Sequence, residues 1–136
     1  MIRQKKVPRG IRNCNPLNIR IGNTWMGERN DPDDDEFEQF VAMEYGIRAA
    51  FLILRRYIKR YHLDTIQKII SRWAPSSENN TQAYVKAVSS SMNLDPNEPI
   101  KYDDKKTMCA LVAAMAKVEC GQSVADDKIG RGYDMA

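Results

Sequence analysis

One glutamate occupies an apolar position near the carboxyl end of the last long helical segment. The apolar stripe of this segment contains Met108, Leu111, Val112 and Met115. Glu119 continues the stripe four residues later. Burial among apolar neighbours and the negative end of the helix dipole both favour a protonated carboxyl. A general acid must be protonated at neutral pH, so Glu119 is the candidate proton donor. Two structural alternatives are a side chain turned to solvent, or an ion pair with an arginine such as Arg12 or Arg131.

Two further glutamates have positions at which a carboxylate could act on a ligand. Glu44 lies at the start of the first long helical segment. It could serve as a second catalytic carboxylate, or simply stabilise the helix N-terminus as a negative charge. Glu78 lies in a segment rich in Ser, Asn and Thr, where it could contact a ligand or organise the start of the next helix.

The segment at residues 9–20 contains three asparagines and a proline, and it shows neither helical nor strand periodicity. Asn and Pro favour turns because the Asn side chain bonds to nearby backbone and Pro restricts φ. Trp25 and Gly27 follow closely. This pattern indicates either a polar surface with an aromatic wall, which suits a sugar, or a coiled arm packed on a helical body.

Side chains that bind metals do not occur at metal-binding spacing. Cys14, Cys109 and Cys120 form no C-x-x-C pair, and the single histidine, His62, lies far from them in sequence. The acidic run at residues 30–36 lacks the central glycine of a calcium-binding loop, and we expect a solvated turn. We therefore expect no metal ion and no other cofactor.

Apolar periodicity predicts about five helices that must position these groups. The first begins at Tyr45 and has an apolar face opposite a basic one. The second begins after a cap at Asp64 and ends near Trp73. The third follows a cap at Asn79 or Asn80.

The fourth predicted helix begins near Asp103 or Asp104 and runs to Glu119, with Gly121 as its C-terminal stop. A short fifth segment follows from about Ser123. The first forty residues are loop-like, with at most a small β-hairpin between residues 17–21 and 37–41. The sequence therefore predicts a mainly α fold.

The chain has 136 residues, of which 43% are hydrophobic, and this predicts a single domain at residues 1–136 with a buried core. A net charge of +3 permits contact with an anionic polymer without requiring it. No apolar run approaches the roughly 20 residues of a membrane span. Residues 1–6 are basic and lack the apolar stretch of a signal peptide, so we expect synthesis in the cytoplasm.

Several motifs resemble a family of small phage and prophage proteins. They lie at residues 9–20, 25–27, 37–40, 44–49, 72–75, 78–84 and 127–132. Members of this family are described as virion structural proteins or as lysozyme-like, peptidoglycan-degrading proteins. Cys14 and Leu17 stand where the family pattern has Asn and Gly. The resemblance implies action at the cell wall or in the virion, with peptidoglycan and other virion proteins as partners.

A second likeness is to bacterial glucosaminidases of the lysozyme superfamily. These have a helix ending in Glu-Ser-Gly, then an Asn-rich segment, Trp-x-Gly, an aromatic-x-x-aromatic strand and another helix. This chain has the later parts in that order, whereas the helix ending in Glu119 lies at the opposite end. The likeness implies a circularly permuted lysozyme-like fold, which is feasible because chain termini often lie close together. Asn15 and Asn18 are then expected near the Glu119 carboxylate.

The two resemblances together imply cleavage of the glycan strand of peptidoglycan, with Glu119 as general acid. Glu44 or an acidic residue of residues 31–36 could activate water, or a substrate acetamido or hydroxyl group could assist. Muramidase, glucosaminidase and lytic transglycosylase activity all remain open. The residues implied to line the groove are Asn13, Asn15, Asn18, Arg20, Trp25, Trp73, Glu78 and Tyr84.

Two other functions compete with glycan cleavage. The main alternative is a virion structural or glycan-binding protein that has no catalytic activity. The other is a nucleic-acid-binding module that uses the arginines of the first long helix, such as Arg55 and Arg56. A solvated helix surface is the commoner explanation for such a basic face, so we do not expect nucleic acid as a partner.

Overall fold

The computed structural model describes residues 7–136, so the basic segment at residues 1–6 lies outside the described residues. Within the described range the chain forms six helices. They are α1 (Arg9–Arg12), α2 (Met43–Lys59), α3 (Ile66–Trp73), α4 (Thr81–Met92), α5 (Lys105–Cys120) and α6 (Asp126–Met135). The mainly α fold is confirmed, and the five longer helices correspond to the five that the periodicity predicts. The sequence did not predict α1, which has only four residues and no side-chain cap.

Polar side chains cap three of these helices. Asn80 accepts an amide N–H of the first turn of α4, and Asp104 does the same for α5, as predicted. Gly121 ends α5 with φ +72°, a conformation that favours glycine. The predicted cap of α3 was wrong by one residue, because Thr65 rather than Asp64 accepts the N–H bond there.

The predicted hairpin is present only as two isolated antiparallel bridges, between Arg20 and Phe37 and between Glu28 and Phe40. Buried polar contacts hold this region together instead of a continuous ladder. The Asn13 side chain is 1% exposed and that of Gln39 is 5% exposed, and Gln39 Nε2 donates to Asn13 Oδ1 at 3.0 Å.

Asp34 departs from the solvated turn that its acidic surroundings predict. Arg9 donates to both carboxylate oxygens, at 2.6 Å from Nη2 and 2.7 Å from Nε. Asn13 Nδ2 donates to Oδ2 at 2.9 Å. The Arg9 hydrogen bonds hold the pKa of Asp34 well below its usual range. The acidic segment is therefore tied to α1 through an ion pair between the buried Asp34 carboxylate and the partly exposed Arg9 side chain.

The helices pack around the apolar faces that the sequence predicts. Helix α6 lies along α2, and α5 packs against both α4 and α6. The buried residues of α2 and α5 include Ile47, Phe51, Leu54, Ile58, Met108, Leu111, Val112 and Met115. None of the helices in residues 7–136 is long and apolar enough to cross a membrane.

Candidate functional site

The last turn of α5 places Glu119 where several elements meet. Asn18, from the loop after α1, donates through Nδ2 to Glu119 Oε1 at 3.1 Å. Tyr84 of α4 donates its hydroxyl to Oε2 at 2.9 Å. The indole of Trp73, the last residue of α3, lies close enough to stabilise the charged form of the carboxyl group. Three of the residues predicted to line the groove therefore surround the predicted acid.

Burial raises the pKa of Glu119, because a charged carboxylate loses hydration there. The hydrogen bonds from Asn18 and Tyr84 and the nearby Trp73 indole act in the opposite direction, since they stabilise the carboxylate, and burial has the larger effect. The same bonds fix the orientation of the carboxyl group. A protonated carboxyl held in one direction can deliver its proton to a ligand atom.

The Asn-rich segment reaches this site through Asn18 but not through the Asn15 amide. The Asn15 side chain is fully buried and donates to the carbonyls of Ile19 and Glu38, at 2.9 and 3.0 Å. Its Oδ1 accepts from the Ile19 amide at 2.9 Å. Asn18 thus makes the expected contact with Glu119, whereas Asn15 shapes the loop that presents Asn18.

Two residues of this loop adopt left-handed backbone conformations. Cys14 has φ +53° and Asn18 has φ +55°. Asparagine adopts this conformation more readily than most residues other than glycine. The structure thus gives a physical reason for the Asn that the family pattern has at position 14.

A cavity of about 730 Å³ lies between the loop at residues 23–25 and helix α2. Trp25, Tyr57 and Arg72 are among the residues that line it. The Tyr57 and Trp73 rings meet edge to face with centroids 6.2 Å apart. Tyr57 lines the cavity and Trp73 lies on the other side of this ring pair, near Glu119, so the two rings stand between the cavity and the acid.

No protein-family model matches the chain. Protein P5 of Pseudoalteromonas phage PM2 is 37% identical to it over 131 residues, which cover 93% of this chain and 80% of the phage protein. The chain belongs to the Protein P5 family. This relationship supports the predicted likeness to phage proteins, while the lysozyme-like fold and the glycan-cleaving activity stay predictions.

In this member of the Protein P5 family, Glu44 contacts helix α6 rather than Glu119. Lys128 Nζ lies 3.5 Å from the Glu44 carboxylate, and Arg131 lies 4.0 Å from it. The backbone amide of Glu44 lowers the pKa of its carboxyl, and the Lys128 charge adds to this effect. Arg131 thus lies beside Glu44 and not beside Glu119.

The other residues of this chain that were predicted to bind a ligand lie in surroundings different from those of Glu119. Glu78 is exposed in the turn between α3 and α4. Arg20 is also exposed, with its guanidinium 5.3 Å from the centre of the Phe37 ring. Asn13 is buried in the hydrogen-bond network of Asp34. The structure thus brings Asn18, Trp73 and Tyr84 to Glu119.

A second carboxyl group with an unusual environment was not predicted from the sequence. Glu38 is 7% exposed, and its Oε2 is buried with no hydrogen-bond partner among residues 7–136. Burial, together with the hydrogen bond and charge of Glu28, raises the pKa of Glu38 to about 7. Glu28 Oε1 also accepts from the Trp25 amide at 3.1 Å. The pair therefore supports the loop that carries Trp25. The aromatic-x-x-aromatic spacing of Phe37 and Phe40 did not indicate that Glu38 is buried, and it could not identify Glu28 as the partner.

Glu38→Gln is expected to stabilise the protein at alkaline pH. The folded-state pKa of Glu38 is about 7, against 4.5 in the absence of the fold. The protonated side chain therefore contributes stability below pH 4.5, and this contribution is lost as the pH rises through about 7. Glutamine cannot ionise, so the variant should exceed the wild type by about 2 kcal/mol in unfolding free energy near pH 8. Urea unfolding at several pH values measures this difference.

The control is Asp35→Asn, which removes an exposed acidic side chain from the same segment. The difference in unfolding free energy between this variant and the wild type should not grow with pH. If Glu38→Gln changed the unfolding free energy equally at about pH 4.5 and about pH 8, ionisation of Glu38 would not be the cause.

Proposed function

We propose that this chain cleaves the glycan strands of peptidoglycan, with Glu119 as the general acid. The observation that carries the proposal is the partly buried Glu119 carboxyl, oriented by Asn18 and Tyr84 beside Trp73, whose ring packs on the Tyr57 wall of the cavity. Sugar-binding sites combine aromatic faces with fixed polar groups, and glycosidases use a carboxyl group of raised pKa as the acid.

In the proposed reaction the Glu119 carboxyl transfers its proton to the glycosidic oxygen while the bond from that oxygen to the anomeric carbon breaks. The bonding electrons leave with the oxygen, and an oxocarbenium-like centre develops on the sugar. Capture by water gives a reducing end, whereas capture by a hydroxyl group of the same sugar gives an anhydro end. Burial supports the first step, because it keeps the carboxyl protonated at higher pH than in solvent.

Several groups are candidates for assistance at the anomeric carbon. Glu44 is ion-paired and has a lowered pKa, which makes it a weaker base, and we propose that it mainly docks α6 onto α2. Glu28 and Glu38 support the Trp25 loop at the edge of the cavity and are carboxylates to test in this role. If the acetamido group of the substrate assists directly, neither Glu28 nor Glu38 is required for this step.

The second candidate function is a virion structural or glycan-binding protein without catalytic activity. Membership of a phage protein family supports this function more directly than it supports an enzyme. The hydrogen bonding of Glu119 also favours the non-catalytic function, since Asn18 and Tyr84 already donate to one carboxyl oxygen each. A carboxyl group so fully paired inside the chain can be purely structural.

Digestion of purified peptidoglycan, followed by mass spectrometry of the soluble fraction, tests the proposed function. The wild-type protein should release disaccharide-peptide fragments. A reducing muramic acid, a reducing glucosamine or an anhydro end would identify the bond and the mechanism. A protein that releases no fragments but sediments with the polymer would select the non-catalytic alternative.

A further inference from the structure

The cavity next to Trp73 has an excess of positive charge. Arg55, Arg56, Arg60 and Arg72 all line it. Within residues 7–136, no carboxylate lies within 4.0 Å of any of these four guanidinium groups. Lys59 also lines the cavity, but it is paired with Asp103 at 3.1 Å. The four arginines therefore keep their charge available to a ligand.

Tyrosine rings lie beside two of these arginines, Arg60 and Arg72. The Arg72 guanidinium lies 6.0 Å from the centre of the Tyr57 ring and 5.8 Å from that of Tyr61. Arg60 lies 5.9 Å from the centre of the Tyr61 ring. Stacking on a ring reduces the freedom of an arginine side chain while leaving its N–H donors free to bind a planar anion.

We propose that this cavity binds the carboxylate groups of peptidoglycan, so that the protein distinguishes anionic glycan strands from neutral ones. This inference rests on the proposed function, because it assigns the cavity to the same substrate as Glu119. A guanidinium group matches a carboxylate with two parallel hydrogen bonds. Carboxylates of peptidoglycan come from the stem peptides, and from the lactyl groups of sugars that carry no stem peptide. Trp25, which lines the same cavity, supplies an aromatic face for the sugar rings.

Two observations favour an anionic glycan over nucleic acid. Only the Tyr57–Trp73 ring pair separates the cavity from Glu119, a spacing that a polymer of several sugars can span. In addition, the net charge of the chain is only +3, whereas duplex binding usually relies on a broad and strongly basic face.

The inference is tested by sedimentation binding assays in the Glu119→Gln background, where no substrate is consumed. The test variant combines Arg56→Gln with Arg72→Gln. The control combines Lys86→Gln with Lys101→Gln, which removes the same charge from exposed positions outside the cavity. Affinity for intact peptidoglycan should fall about tenfold in the test variant at low salt, and much less at high salt. It should remain unchanged in the control.

Three further ligands identify what the arginines bind. Chitin oligomers are neutral, so the test variant should bind them as the parent does. Glycan strands stripped of stem peptides by an amidase expose lactyl carboxylates, which are amide-bonded to the stem peptides in the intact polymer. A loss on intact peptidoglycan alone assigns the carboxylates of the stem peptides, and a loss on stripped strands as well shows that the arginines also bind lactyl carboxylates. Tighter binding of a short DNA duplex, weakened by the same changes, would overturn the inference in favour of nucleic acid.

A second variant separates charge from folding. Arg56→Lys with Arg72→Lys keeps both charges and should retain most of the affinity for peptidoglycan. An equal loss of chitin and peptidoglycan binding in the Gln variant would overturn the inference, because shape rather than charge would be responsible. Failure of the Glu119 assignment would appear independently, as full activity of Glu119→Gln on peptidoglycan.

Discussion

Replacing Glu119 by glutamine should lower the rate of fragment release from peptidoglycan at least about 100-fold. Glutamine keeps the size of the side chain and can still accept a hydrogen bond from Tyr84 or Asn18. It has no proton that it can transfer to a glycosidic oxygen. The unfolding free energy should change by less than about 1 kcal/mol, because the lost carboxylate bonds are offset by the removal of a buried ionisable group. Fragment release and urea unfolding, measured on one preparation, separate the two effects.

Glu98→Gln is the matched control, since Glu98 is an exposed glutamate in the loop between α4 and α5. It should release fragments at the wild-type rate. Full activity of Glu119→Gln would refute the assignment of Glu119 as the acid, even if the wild type proved to be a glycosidase.

The pH profile distinguishes a proton donor from a structural carboxyl group. The acidic form of Glu119 exists below its raised pKa, so the rate should fall as the pH rises through that value. Tyr84→Phe removes a hydrogen bond that stabilises the carboxylate, and the pKa should therefore rise further. The falling limb of the profile should move to higher pH in this variant. A structural contact would alter the rate without moving the limb.

The sequence predicted the helical elements well because their signals are local. The caps at Asn80 and Asp104 and the stop at Gly121 depend on residues within one turn of each helix end. The position of Glu119 on the apolar stripe of α5 also follows from spacing alone. The four-residue helix α1 left no such signal, since it has no side-chain cap and lies within a segment of turn-forming residues.

Contacts between residues that are far apart in the chain could not be predicted from the spacing of residue types in the sequence. The resemblance to glucosaminidases correctly anticipated the Asn18–Glu119 contact, which joins residues 101 positions apart. No local pattern indicated that Arg9 would pair with Asp34, or that Glu28 would lie close enough to Glu38 to raise its pKa. The first pair requires α1 to pack on the acidic segment, and the second accompanies the bridge between Glu28 and Phe40.

The loop that carries Asn18 depends on a glycine in α2. A Cβ atom added at Gly46 would lie 1.9 Å from the Cys14 carbonyl oxygen and 2.9 Å from its carbon. Both neighbours are backbone atoms, so no side-chain rotation can relieve the clash. The loop cannot easily withdraw either, because the buried Asn15 side chain fastens it to Ile19 and Glu38.

Gly46→Ala should therefore lower the unfolding free energy by about 3 kcal/mol or more. Gly130→Ala is the matched control within a helix, since its added Cβ would meet only Lys105 Cε, at 4.0 Å. That change should raise stability by about 0.5–1 kcal/mol, as expected for alanine in place of glycine inside a helix. Urea unfolding of both variants measures the contrast. If Gly46→Ala were as stable as the wild type, the loop would not be fixed against α2, and the geometry proposed for Asn18 and Glu119 would lose its support.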